Sequence, residues 1–424
     1  VIQSCGGGDS QHTMIFVSAA DTGAVVYDCN VGGVCDINQY TLSYQWMADN
    51  YCTNGTSLAG VTIYRAYNYA KLLGTTPFSI ADDSANFVIN SDGVLTKYNG
   101  SSSIVVIPDE VTSIGSNAFQ NNTAICYVRM NSNVTSIGEY AFSGCTNLIT
   151  IDMPDSITSI GSYAFQNCSR LSSIKVPEPI QTINSYTWSG CSSAVSLDMS
   201  DNVVTVSYSA FANCSNLSSV TLSKSLETLD WEAFYDCDKI TEIEIPKSLT
   251  DGGGYYPTSN DGAFAYCSNL KNVNFERGTT RIANNLFAYC DGLEEITIPD
   301  TVTLIESEAF YKCTNLKNVV FSENLLTIQS SAFSNCTSLS EIVIPDSVVT
   351  VSDSAFANCS NLSSVKLSKS LETLSYRAFY DCDKITEIEI PKSLTNGGGY
   401  YPTSSEGAFA YCSNLKNVNF ERGT

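Results

Sequence analysis

Histidine is nearly missing from this chain: His12 is the only one among 424 residues. A Ser-His-Asp or Cys-His centre would have to be built on it, with Cys5, Cys29, Cys35 or Cys52 as the nucleophiles at hand, and no family signature surrounds any of them. Charge is scarce as well. Asp, Glu, Lys and Arg make up 15% of the residues, against roughly 25% in an ordinary globular chain. Of these, 43 are acidic and 21 basic, a formal net charge of -22, and a surplus of that sign opposes nucleic acid or an anionic membrane surface as partner. No run of 18 apolar residues occurs, so the sequence holds no transmembrane helix. The run Gly252-Gly253-Gly254 lacks the Lys-Ser/Thr of a phosphate loop. Carboxylates are what remain for catalysis, and the clearest pairs, Glu242 with Glu244 and Glu387 with Glu389, read as the solvent face of a strand. The chain is therefore expected to be non-enzymatic, with no cofactor and no metal.

What the chain does have is a beat. A ring, usually preceded by Ala and followed three residues later by Cys, recurs every 23 residues: Phe119, Phe142, Phe165, Trp188, Phe211, Phe234, then after a step of 30 Phe264, Phe287, Phe310, Phe333, Phe356, Phe379, and after another 30 Phe409. Such a period marks units that cannot bury an apolar face alone and must stack on their neighbours. Within one unit, Leu148, Ile151 and Met153 bracket polar residues as a short strand does. Pro154 ends it. Ile157 and Ile160 then suit a second extended segment on the opposite wall, before a tight turn drops Phe165 and Cys168 inward.

This L-x-x-I-x-I-P-x-S-[VI]-T-x-I-G-x-x-A-F-x-x-C pattern resembles the BspA-like class of leucine-rich repeats, found on surface proteins of bacteria and some parasitic protists. The resemblance runs over residues 87–424 and predicts a β-rich repeat solenoid of about thirteen turns, preceded by a small β-rich N-terminal cap module over residues 1–86. Trp188 in place of Phe, Asn122 in place of the first Cys, and Thr187 and Leu286 in place of Ala are single departures. Overlaid on the short period, residues 203–279 recur as 348–424 with eight differences, an offset of 145. The array stops without the polar closing repeat that solenoids need, so the chain is expected to continue or to be covered by another molecule there.

Twelve of the 17 cysteines belong to the ladder: Cys145, Cys168, Cys191, Cys214, Cys237, Cys267, Cys290, Cys313, Cys336, Cys359, Cys382 and Cys412. Spread along a line, they cannot converge on a metal, and they are expected to be buried, reduced thiols. Cys5, Cys29, Cys35, Cys52 and Cys126 lie outside the ladder and read as disulfide staples of the N-terminal module, with Cys126 tying the first turn to it and no connectivity deducible. The stretch around Cys5 resembles the end of a bacterial lipoprotein signal, but removal of a signal peptide upstream is the simpler account. In the module itself, residues 14–17, 24–27 and 41–46 look strand-like. Sequons at Asn54, Asn99, Asn121 and Asn133 are glycosylation candidates if the host glycosylates.

The seven extra residues of each 30-residue step display Tyr255-Tyr256-Pro257 and Tyr400-Tyr401-Pro402. Insertions in solenoids emerge on one face and often bind, and paired tyrosines suit a contact site. The alternative is that these rings fold back onto the core. The solvent positions of the strands, from Arg129 and Asp152 through Val320 and Val343 to Asn419, carry no single chemistry and fit protein or glycan contact better than a small-molecule pocket. The resemblance implies an adhesin-like, secreted or cell-surface interaction protein. A structural subunit of an extracellular filament, self-associating through its repeats, and the binding arm of a larger surface enzyme are the other two readings.

Overall fold

The computed structural model describes residues 2–4, 12–17, 25–30, 84–252, 262–397 and 407–421. The chain divides into two units, Val1–Asp83 and Ser84–Thr424. In the first, strands Ile2–Ser4, His12–Val17 and Val25–Asn30 form one antiparallel sheet with the central strand in the middle. The stretch 14–17 falls on its second strand and residues 25–27 of the stretch 24–27 on its third, whereas residue 24 and the stretch 41–46 lie outside the described residues. So do Cys5, Cys35, Cys52, Asn54 and both Tyr-Tyr-Pro loops.

The second unit is a β-solenoid. It opens on an antiparallel hairpin, Phe87–Ile89 against Val94–Tyr98, turned at Gly93 with φ of 76°; every later pairing in this unit is parallel and joins one turn to the next. Each turn has three walls. The first carries strands such as Tyr127–Arg129 and Thr150–Asp152, paired in register with Ile151 beside Val128. Pro154 closes that wall, and its carbonyl accepts the Ile157 N–H at 3.2 Å. The second wall carries two-residue strands such as Ser136–Ile137 and Ser159–Ile160, Ile160 beside Ile137. In the 30-residue turns this wall is extended by bridges of Asp251 to Thr228 and Asn396 to Thr373, so the insertions leave the array between the second wall and the third.

The third wall is not a β-strand. Residues two before and two after the ring adopt positive φ from Phe119 to Phe234 and from Phe287 to Phe379, as at Tyr140 (55°) and Gly144 (73°), Tyr163 (60°) and Asn167 (58°), Tyr186 (57°) and Gly190 (75°). Alternation of left- and right-handed residues points every second peptide along the solenoid axis with the same polarity. The N–H of Phe119 donates to Ala141 O, that of Phe142 to Ala164 O and that of Phe165 to Thr187 O, at 2.7, 2.7 and 2.8 Å, and the series runs without a gap from Tyr98 N–H on Ala118 O to Phe379 N–H on Ala408 O. N–H groups face later turns and carbonyls face earlier ones. Asn, Asp and Gly tolerate the left-handed region; Tyr, Lys, Glu and Arg do so at a cost.

Inside, the rings form one column. From Phe119 through Trp188 to Phe379 every ring is fully buried, with neighbours stacked at 4.7 to 5.8 Å between centroids. Phe409, in the last turn, is half-buried and stacks on Phe379 at 5.2 Å. All twelve ladder cysteines are buried free thiols.

Candidate interaction surface

The strand face is as mixed in chemistry as its sequence. Glu244, Thr297, Lys366 and Glu389 are exposed, and Val320 and Val343 stand 58% and 48% exposed. Glu242 and Glu387 lie on the solvent side of their strands, paired across to Asn272 and Asn417 rather than to another carboxylate. Ion pairs such as Lys317 to Glu294 at 2.7 Å are exposed on both sides, and pairs of that kind contribute about 0 to 1 kcal/mol. Among the described residues no group of three or more His, Cys, Asp or Glu is placed to hold a metal ion, and no helix is long and apolar enough to cross a membrane.

The third wall is different in kind: it is paved with tyrosine. Tyr140, Tyr163 and Tyr186 stack at 4.5 and 4.7 Å, nearly parallel. Tyr208 meets Tyr186 edge-on at 5.2 Å and 89°, and Trp231 meets Tyr208 at 6.3 Å and 85°. Further along come Tyr235 with Tyr266, Tyr266 with Tyr289, and Tyr289 with Tyr311, then Tyr380 with Tyr411. Two cations sit on this paving. Lys312 lies 4.6 Å from the Tyr289 ring centre and 5.3 Å from that of Tyr311. Arg377 lies 4.8 Å from Tyr376 and 5.0 Å from Tyr380. Donation from Lys312 Nζ to Tyr289 Oη, at 3.0 Å, holds the ammonium pKa above its ordinary value. Burial, then the neighbouring phenols and Glu139, raises that of Tyr163. Burial, with hydrogen bonds to Tyr186 and Glu232, raises that of Tyr208.

The ladder thiols are donors as well as filling. Cys145 Sγ donates to Phe119 O at 3.1 Å, Cys168 to Phe142 O at 3.2 Å, and Cys313 to Phe287 O at 3.2 Å. Desolvation pushes Cys145, Cys214 and Cys290 up to about 12. Cys126, expected to tie the first turn to the N-terminal module, is a free, half-buried thiol 3.7 Å from Ala124 O. Its neighbours on adjacent turns are Ser103, whose carbonyl accepts the Cys126 N–H, and Ile149, whose N–H donates to Cys126 O, so the array offers it no cysteine partner. Cys29 lies on strand Val25–Asn30. Of the sequons, Asn99 and Asn121 are exposed, and Asn133 is exposed with its amide donating to Asp109 O at 2.9 Å.

Reasoning from the repeat template missed the third-wall tyrosines, because they fall on its variable positions. The signal was Tyr140, Tyr163 and Tyr186 at the 23-residue spacing.

A parallel, three-walled solenoid with one apolar ladder per turn defines a leucine-rich repeat protein. The profile of the BspA type leucine rich repeat region, in six copies, matches residues 97–195, 181–303, 257–362 and 327–424, and the chain belongs to that family. It is similar to a leucine-rich repeat protein from Bacteroides ovatus, at 28% identity over 78% of this chain and 91% of that one, with a TM-score of 0.57. It is also similar to a leucine rich cell surface protein from Faecalibacterium prausnitzii (24%, 83% and 96%, TM-score 0.44) and to a leucine-rich repeat protein from Eubacterium ventriosum (24%, 75% and 94%, TM-score 0.45). Comparison with curated proteins finds no match.

Proposed function

We propose that this chain is a non-enzymatic interaction protein, secreted or displayed at the cell surface, that holds protein or glycan partners in an adhesin-like manner through the solenoid surface and its two Tyr-Tyr-Pro loops. One observation carries this reading: the third wall, beside which both insertions leave the array, is rich in Tyr, Ser, Asn, Gly and Ala and poor in charge. Tyrosine offers large contact area at small entropic cost, and Ser, Gly and Asn offer adaptable hydrogen bonding, the mixture that antibody paratopes use. Stacking holds the rings in place before a partner arrives, which lowers the cost of binding. The test is binding of the purified chain to immobilised extracellular-matrix proteins and to a glycan array. Retention on neither at micromolar concentration would defeat the proposal.

A second reading, a filament or coat subunit, is favoured by the 77-residue block that recurs at an offset of 145 with eight differences. It predicts regular assemblies in negative-stain images of native material, where an adhesin gives single particles.

A further inference from the structure

The third wall is not uniform in charge. In its first six turns, the segments from three residues before the ring to two after it, 116–121, 139–144, 162–167, 185–190, 208–213 and 231–236, contain no Lys or Arg, and they carry Glu139, Glu232 and Asp236. The later turns supply Lys312 and Arg377, and each of these lies over a pair of the chain's own tyrosines. Lys312 occupies the angle between Tyr289 and Tyr311, whose rings meet at 75° and 5.6 Å. Tyr186 and Tyr208 make a corner of nearly the same shape, at 89° and 5.2 Å. Both rings are half-buried. Among the described residues no cation lies over Tyr140, Tyr163, Tyr186 or Tyr208. Glu232, which accepts from Ser209 Oγ at 2.8 Å and interacts with Tyr208, puts a carboxylate beside this corner.

The recurring block isolates the same place. Four of its eight differences are Tyr208 against Asp353, Asp230 against Ser375, Trp231 against Tyr376 and Glu232 against Arg377. On a nearly identical scaffold, the earlier copy presents an aromatic corner with no cation over it and an acid beside it. The later copy has lost the corner ring and carries its own guanidinium on the paving, with Arg377 Nε buried and without a hydrogen-bond partner.

We infer that the corner of Tyr186, Tyr208 and Glu232 takes a Lys or Arg side chain from an extended, cationic segment of a partner polypeptide, with Tyr140 and Tyr163 as the bed for its neighbouring residues. Ring faces attract the cation, the carboxylate supplies the opposite charge, and the chain's net charge of -22 draws such a segment in. Three steps of stacking, at about 4.8 Å each, give roughly 14 Å of bed, enough for about four extended residues. The inference deepens the interaction function proposed above and rests on it.

The test is fluorescence anisotropy with a labelled heptapeptide alternating arginine and serine, with the same peptide carrying glutamate, and with a neutral gluco-oligosaccharide as competitor. Glu232→Arg, alone and with Tyr208→Asp, rebuilds the later copy's residues on the earlier scaffold, and the later copy shows that they are compatible with the fold. Each is expected to weaken arginine-peptide binding at least tenfold. Glu242→Gln with Glu387→Gln, which also changes the net charge by two but on the strand face, should shift it less than twofold. Equal losses in both sets would reduce the effect to overall charge and overturn the inference. So would competition by the oligosaccharide with no binding of the cationic peptide, or indifference to Glu232→Arg. Matrix or glycan binding that survives any of these results would leave the general interaction function standing.

Discussion

The thiol ladder makes the array sensitive to alkali, and the size of the effect follows from its geometry. A cysteine in an unfolded chain ionises near pH 9. In the folded array, burial raises the thiol pKa, to about 12 at Cys145, Cys214 and Cys290 and in the same direction at Cys168, Cys191, Cys237, Cys267, Cys313 and Cys336. Below pH 9 both states keep the proton and stability is unaffected. Between pH 9 and 12 the unfolded chain releases protons that the folded array retains, so stability falls as pH rises. At pH 10 the difference is about 1.4 kcal/mol for a thiol raised to about 12, or roughly 4 kcal/mol over Cys145, Cys214 and Cys290, a large part of the stability of many domains, and the other raised thiols add to it with the same sign. Circular dichroism at stepped pH should therefore show loss of β structure between about pH 9 and 10.5. Tyrosine ionisation overlaps this range, so the discriminating readout is the slope. Replacing Cys290, Cys313 and Cys336 by Ala lowers stability at pH 7 yet should make its fall between pH 9 and 10 measurably shallower. An unchanged slope, or rapid modification of the ladder by a bulky thiol reagent at pH 7.5, would refute the reasoning.

Truncating a ring in mid-array tests the aromatic column: Phe310→Ala, which removes stacking on Phe287 and Phe333 at 5.5 and 5.0 Å, should cost about 3 to 5 kcal/mol in urea unfolding. A neutral result would place the ring outside the core. Gly144, at φ of 73° and with Asn121 Oδ1 where a Cβ would stand, should lose about 1 to 3 kcal/mol on Gly144→Ala, measured the same way. Changing Tyr255, Tyr256, Tyr400 and Tyr401 together to Ser should abolish ligand binding or assembly with the melting temperature nearly unchanged. A fall of many degrees would make these tyrosines core plugs.

The fold was legible because its core is written once per turn. The aliphatic positions and the ring keep their phase for thirteen copies and Cys for twelve of them, and a ladder so regular admits few structures. The third wall was legible only in part. Asn121, Gly144, Asn167, Gly190 and Asn213 occupy one of its left-handed positions with residues that announce it, and the 23-residue spacing lines them up. The other position is filled by Tyr140, Tyr163, Tyr186, Ser209 and Glu232, which propensity would place anywhere but there. Stacking from turn to turn overrides that preference. The tyrosine surface was hidden for the same reason: it uses the positions that the repeat leaves variable, and variable positions carry no period in a template built from constant ones.

The alternation of the third wall also explains why cysteine, rather than alanine or valine, follows the ring. When every second peptide points along the axis, the intervening carbonyls must point elsewhere. The carbonyl of Phe119 accepts the Asn122 N–H at 3.0 Å and then the thiol of Cys145 from the next turn at 3.1 Å. The same arrangement recurs for Phe142, Phe165 and Trp188 with Cys168, Cys191 and Cys214. An alanine would leave the second lone pair facing a dry interior. A serine would bring a more polar group into it, at a higher desolvation cost than a weakly polar thiol. The one departure fits the rule. At the first step of the ladder the residue is Asn122, and the acceptor it reaches is Gly100 O, at 2.9 Å from its amide nitrogen, a donor again being supplied where the array begins. The ladder is thus as much a hydrogen-bonding device as a hydrophobic one, which is why its residues share one phase with the ring column and not merely one environment.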